Sequence, residues 1–162
     1  MRDADFERLY AEHAQRLFAF LVYRTGDRVL AEDVMADTFE AAYRARARFD
    51  RRRASERTWL YTIALNRLRD HGRRHAAEAR ALERVSGDAS SPGIDPALEA
   101  METRDRVVRS LGVLSDEERE AVALRFGADL TLKEIAAALD EPMTTVEGRV
   151  YRALRKLRDE LE

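Results

Sequence analysis

Arg149, Arg152 and Arg155 recur every three residues near the end of this chain, behind Thr144, Thr145, Glu147 and Gly148. On one helix these residues are available to solvent or to DNA, and the chemistry they offer is recognition of a duplex. Guanidinium groups meet phosphates or guanine edges, hydroxyls meet either, and a carboxylate can accept a hydrogen bond from a cytosine amino group. Gly148 costs about 1 kcal/mol in helix propensity relative to Ala but permits close backbone approach. A second chemical candidate is weaker. His71 and His75 stand at i and i+4, as metal ligands can, yet no HExxH-type pattern and no third ligand accompany them. No nucleophile or phosphate-loop motif is present, so neither an enzyme nor a metal or cofactor site is expected.

The elements that must position the arginines follow from the residues just before them. Thr131 and Glu134 form a capping-box pattern, and Ile135 and Leu139 give the short helix behind it one apolar face. Asp140 falls where the turn needs a left-handed conformation, which Asp tolerates better than most residues, and Pro142 suits the opening of a helix starting near Met143. On that helix Val146, Val150, Leu154, Leu157 and Leu161 are expected to form the buried stripe. Two helices joined by so short a turn predict a helix-turn-helix, whose second helix enters the major groove by its first turns; the alternative is an ordinary helical hairpin with a solvated charged face.

Charge is unevenly spread. The net charge is −2, but residues 44–84 carry 13 basic against 5 acidic groups, whereas residues 1–43 and 85–120 are acidic. Lysine and arginine supply the sequence-independent part of DNA affinity by neutralising phosphates, so the isolated chain is not expected to bind DNA strongly and a larger partner would have to supplement it. Cysteine is absent, which excludes disulfides and thiolate metal sites. The amino terminus lacks the apolar core of a signal peptide. The apolar run Leu17 to Tyr23 is far short of the roughly 18 residues of a membrane span, so a cytoplasmic protein without membrane contact is expected.

Helical periodicity covers the first half, with apolar marks at Phe6 to Leu21, Val34 to Tyr43 and Leu60 to His71. Ser55 is placed to cap the third helix. The stretch Ser86-Gly-Asp-Ala-Ser-Ser-Pro-Gly-Ile-Asp-Pro96 has linker composition. Beyond it Asp95-Pro96 can start another helix, carrying Leu98, Met101, Val108, Leu111 and Leu114. Ser115 with Glu118 forms a second capping box for a helix through Phe126. The expectation is an all-α chain of two small helical domains, residues 1–84 and 97–162, joined by a flexible linker at 85–96. Each core would be modest, and a partner could complete its apolar surface.

Two blocks then resemble one family. Ala31-Glu-Asp-Val-Met-Ala-Asp-Thr-Phe39, Trp59-Leu-Tyr-Thr-Ile-Ala-Leu-Asn-Arg67 and the Arg73-Arg74 pair resemble region 2 of bacterial RNA polymerase sigma factors of the extracytoplasmic-function type. Leu114-Ser-Asp-Glu-Glu-Arg-Glu-Ala-Val-Ala-Leu-Arg-Phe126 and the helix-turn-helix resemble region 4. The resemblance implies a sigma factor that binds core RNA polymerase, at the clamp of its largest subunit and at the flap, and directs initiation on promoter DNA. It implies that Asp33, Val34, Asp37, Thr38 and Phe39 bind polymerase. It places −10 recognition and opening on Trp59, Asn66, Arg67, Asp70, Arg73 and Arg74, and −35 recognition on Thr144, Thr145, Glu147, Gly148, Arg149 and Arg152. An anti-sigma factor is a further partner it allows. Where the family commonly has Thr-Val-Lys-Ser-Arg, this chain has Thr145-Val-Glu-Gly-Arg149, and Ala36 stands where the family often has Gln. Two alternatives stay open: a free-standing helix-turn-helix regulator binding operators as a dimer, and a degenerate sigma-like protein that holds polymerase or an anti-sigma partner without initiating.

Overall fold

The computed structural model describes residues 1–86 and 109–162, the side chains of residues 83–86 excepted. Helix α1 (Asp3–Thr25) ends because Gly26 adopts a φ of 68°, where its backbone N–H donates to the Val22 carbonyl at 2.8 Å. Asp27 starts α2 (Arg28–Ala45), its Oδ1 accepting from the Val29 and Leu30 N–H groups at 3.0 and 3.1 Å. A single 3-10 turn at Arg46–Arg48 leads into the arginine-rich loop. Ser55 Oγ then accepts from the Thr58 N–H at 3.1 Å at the head of α3, Glu56–Ser86. The first half of α3 packs inward, and from Gly72 to Leu82 it is exposed on every side.

The expected linker lies outside the described residues from 87 onward, and α3 occupies 85 and 86. The helix expected to begin at Asp95-Pro96 also lies outside them, as far as Val108. The described residues resume with a helical turn at 109–111 and continue into α4 (Asp116–Val122), opened by the reciprocal Ser115 and Glu118 capping bonds. This helix continues as a π-helical turn over Ala123–Gly127, in which the Ala128 N–H reaches back five residues to the Ala123 carbonyl at 2.9 Å. Helices α5 (Leu132–Leu139) and α6 (Met143–Leu161) complete the second domain. Among the described residues there is no strand, and no helix is long and apolar enough to cross a membrane.

The core was expected as two modest cores. Instead Phe20, Leu21, Val34, Leu60, Tyr61 and Leu65 of the first domain and Leu124, Leu130, Ile135 and Val146 of the second, all essentially inaccessible, belong to one apolar cluster. Helix α5 lies on α3 and the π turn lies on α1, so each domain completes the apolar surface of the other. A smaller cluster of Leu114, Val122 and Ala153, with Leu111 and Leu157 against it, holds α4 to α6. The stripe expected on α6 needs correction: Leu154 and Leu161 are 43% and 42% exposed, while Ala153 is fully buried. Inward positions advance 146, 150, 153, 157, the four-three-four spacing that keeps pace with 3.6 residues per turn; a second step of four drifts onto the outer face.

Candidate nucleic-acid interface

Helix α6 is built by its turn. The Thr131 Oγ accepts from the Glu134 N–H at 3.1 Å and the Glu134 carboxylate accepts from the Thr131 N–H at 2.8 Å, closing the capping box at the head of α5. Asp140 takes a φ of 54° and ψ of 48°, the left-handed conformation that reverses the chain, and α6 begins at Met143. Val146 and Val150 anchor it below, which leaves Thr144, Thr145, Glu147 and Arg152 exposed and Gly148 half-buried. Arg149 is engaged differently, its Nη1 donating to the Glu141 carboxylate of the turn. A Cβ on Gly148 would lie 3.1 Å from Arg152 Nη1, so the glycine leaves room for that guanidinium to lie back along the helix. The structure adds a residue that the sequence reading passed over: Tyr151, 68% exposed, lies one turn beyond Glu147 and two beyond Thr144. Its i+4 and i+7 spacing from those residues was the available signal.

Along α3 the aromatic and cationic residues fall into two groups. Trp59 is half-buried at the core edge and tilts against Phe49, ring centroids 5.0 Å apart. Asn66, Arg73 and Arg74 are exposed and Arg67 is half-buried. Asp70 sits between two of the cations, paired with Arg73 and 3.9 Å from Arg67, so it sets their direction while offsetting part of their charge. Arg74 makes no ion pair among the described residues.

Helix α2 divides the five residues assigned to polymerase between two faces. Val34 and Thr38 are fully buried, the Thr38 hydroxyl donating to the Val34 carbonyl at 2.6 Å, and Phe39 is 7% exposed against Phe6 and Tyr10. Asp33 and Asp37 face outward. Asp37 Oδ2 lies 2.6 Å from His71 Nε2, a bond that ties the outer face of α2 to α3. His71 thus already has a carboxylate partner, and among the described residues no cluster of three or more groups could hold a metal ion.

The arginine-rich loop opens onto a cleft of about 490 Å³ lined by Arg8, His13, Arg51, Ser55, Arg57 and Glu134. Glu134, from the helix-turn-helix, receives the Arg57 guanidinium on both carboxylate oxygens at 3.0 and 3.3 Å. Burial pushes that carboxyl upward, but the Thr131 N–H and the Arg57 charge outweigh it and hold it below the ordinary range. Burial pushes the His13 imidazole below its usual value. On the far side of the seam, Glu120 lies 3.3 Å from Arg24 and 3.9 Å from Arg69. Arg16 and Asp129 add a more exposed pair at 3.6 Å.

Residues 9–78 match the family model for sigma-70 region 2, and residues 110–159 match that for sigma-70 region 4. The chain is 29% identical to the ECF RNA polymerase sigma factor RpoE of Cereibacter sphaeroides, over 98% of this chain and 87% of that protein. It is 33% identical to the RNA polymerase sigma factor CnrH of Cupriavidus metallidurans, over 97% and 95%. Among solved structures it is similar to the sigma factor RpoE of Bartonella quintana in complex with the anti-sigma factor NepR, with a TM-score of 0.81 and 26% identity, over 97% of this chain and 96% of that one.

Proposed function

Because this chain belongs to the sigma-70 family, as an extracytoplasmic-function sigma factor that directs RNA polymerase in transcription initiation, we propose that its two domains divide promoter recognition between them. The domain at 1–84 binds the polymerase clamp and opens the −10 element; the domain at 97–162 reads the −35 element and contacts the flap. On α2, Asp33 and Asp37 make the polymerase contact, and Val34, Thr38 and Phe39 hold the helix beneath them in place. On α3, Asn66 meets an extruded base and Trp59 supports the end of the helix. Arg67, Arg73 and Arg74, aimed by Asp70, track the displaced strand. On α6, Thr144, Thr145, Glu147 and Arg152 face the major groove, with Gly148 permitting close approach and Arg149 held beside them by Glu141.

The observation that carries this reading is the exposed first two turns of α6, seated on buried Val146 and Val150 behind a turn that the left-handed Asp140 closes. The modest net charge supports dependence on core polymerase for affinity. The same surfaces suit an anti-sigma protein, the kind of partner bound to the Bartonella quintana relative, and the site of action is the cytoplasm. Reconstitution with core RNA polymerase tests the proposal. Promoter-dependent transcripts and permanganate-reactive bases at −10 are expected, with reactivity reduced in Arg73→Ala/Arg74→Ala more than core binding is. Undiminished reactivity in that variant would remove the arginines from strand opening.

A further inference from the structure

Gly148 stands two residues past fully buried Val146, about 200° further around α6 at roughly 100° per residue, and so on the middle of the outward face. A bare glycine there would be open to solvent, yet Gly148 is half-buried. Arg152, one turn on, covers it. A Cβ placed on Gly148 would stand 3.1 Å from Arg152 Nη1, 3.9 Å from Cζ and 4.0 Å from Nη2, so the three nearest atoms all belong to one guanidinium. Heavy atoms pack best at about 3.5–4.0 Å, and a methyl group at that point would push the guanidinium away. The missing side chain is a seat.

The seat decides where a cation is delivered. Arg152 belongs to the third turn of a helix that begins at Met143, but helical side chains lean toward the N-terminus, and the glycine lets this one do so. Its charge therefore arrives over the second turn, one turn from exposed Thr144 and beside exposed Thr145, in the part of the helix that enters a major groove. No other cation serves that place. From Met143 to Val150 the only basic residue is Arg149, and Arg149 is turned aside onto Glu141 with its side chain 18% exposed. Arg152 makes no ion pair among the described residues, and the Glu118 carboxylate, which feels its charge, is taken by Lys156 at 2.9 Å. A guanidinium held at the middle of the outward face meets the floor of the groove and not its phosphate walls, and its fork of donors matches the O6 and N7 of guanine.

We propose that Gly148 is a positioning residue that sets −35 specificity through Arg152: it seats the guanidinium over the second turn, where the guanidinium reads a guanine of the −35 element. The reading of −35 by α6 is taken from the division of labour above; the seat does not depend on it.

Gly148→Ala separates this role from a structural one, because stability and reading should move in opposite directions. Alanine is the better helix former, so the variant should melt no lower than the parent and up to about 4 °C higher. Its methyl displaces the guanidinium. In selection from randomised −35 duplexes by the holoenzyme at one fixed salt concentration, preference for guanine should fall about tenfold at the position where Arg152→Ala loses it. The same Gly148→Ala change in an Arg152→Ala background should alter nothing beyond about twofold. In the free parent chain, nuclear magnetic resonance at low temperature should show cross-relaxation between the Gly148 Hα protons and the Arg152 guanidinium protons; its absence overturns the seat. Unchanged preference in Gly148→Ala, or a loss of affinity spread evenly over all duplexes, also overturns the proposal. So does an equal loss in the Arg152→Ala background, since DNA would then need the glycine backbone itself. If the parent selects a −35 sequence and Arg152→Ala selects the same one, the proposal fails and the promoter reading stands. If the cross-relaxation is present but the parent holoenzyme shows no −35 preference, the promoter reading fails and the seat stands.

Discussion

Helix α2 offers a test in which stability and polymerase binding move separately. Phe39 is 7% exposed, with its ring centroid 4.7 Å from that of Tyr10 and 6.4 Å from that of Phe6. Truncating such a ring to Ala removes its apolar burial and leaves a cavity, together costing about 3–5 kcal/mol. Because the two domains share one core, each kcal/mol lowers the midpoint of the 162-residue chain by about 2–4 °C, so Phe39→Ala should melt at least roughly 6 °C below the parent. Asp33→Arg, on the exposed face, should stay within about 0.5 kcal/mol of the parent because it disturbs no packing. Affinity should behave in the opposite way. In competition for core polymerase at a temperature where all three proteins are folded, Asp33→Arg should bind more weakly and Phe39→Ala should bind as the parent does. Urea titration followed by circular dichroism supplies the stabilities. A Phe39→Ala chain of parental stability that has lost core binding would refute the reasoning, since the ring would then be a contact and not a support.

Helix α6 and its turn yield further expectations. Glu141→Gln frees Arg149, which is 18% exposed in its ion pair, and one added phosphate contact should steepen the plot of log affinity against log salt by about 0.9; an unchanged slope would mean that Arg149 cannot reach the backbone. Glu147→Lys should redirect preference in a selection from randomised −35 duplexes at fixed salt if the carboxylate reads a base, and identical preference and affinity would place Glu147 away from DNA. Asp140→Gly relieves a residue held at a φ of 54° and should stabilise the fold by about 0.5 kcal/mol in urea titration, a loss of stability showing that the Asp side chain is needed. The Glu118 carboxyl is held below its ordinary value, first by the Lys156 hydrogen bond and also by the Ser115 backbone. Its stabilisation is therefore present above the unfolded carboxylate value, near pH 4.3, and lost as pH falls through the folded one. Glu118→Gln should flatten that acid limb of the stability profile, and an unaltered limb would assign it to other groups.

The helix-turn-helix was legible because its determinants are local. Thr131 with Glu134, Ser115 with Glu118, and Ser55 with Thr58 each lie three residues apart and bond as their types predict. Asp140 adopts the conformation that its place in the turn demands. Legibility failed where two spacings fitted equally well. Leu154 is more apolar than Ala153, but helical phase and not hydropathy decides which faces the core. It failed altogether at the seam, where Arg57 meets Glu134 across 77 residues and Arg24 meets Glu120 across 96. Glu134 shows why: its capping role accounts for it fully in sequence, and nothing nearby hints that the same carboxylate also receives an arginine from the other domain. The two faces of α2 lay between these cases, since periodicity places Val34 and Phe39 inward but leaves open how deep the aromatic sits.

Because both sides of the seam belong to one polypeptide, their encounter is unimolecular. Linking two surfaces in a single chain commonly sets an effective concentration in the millimolar range. A contact with an intrinsic dissociation constant near 1 mM, about 4 kcal/mol at standard state, then already holds half of the molecules closed. Any protein that competes for Arg57 or Glu134 from solution faces that local concentration at every attempt. A seam closed a hundred to one would raise that competitor's apparent dissociation constant about 100-fold, a loss that a partner recovers by gripping a surface outside the seam as well, so the seam favours partners that engage more than one site.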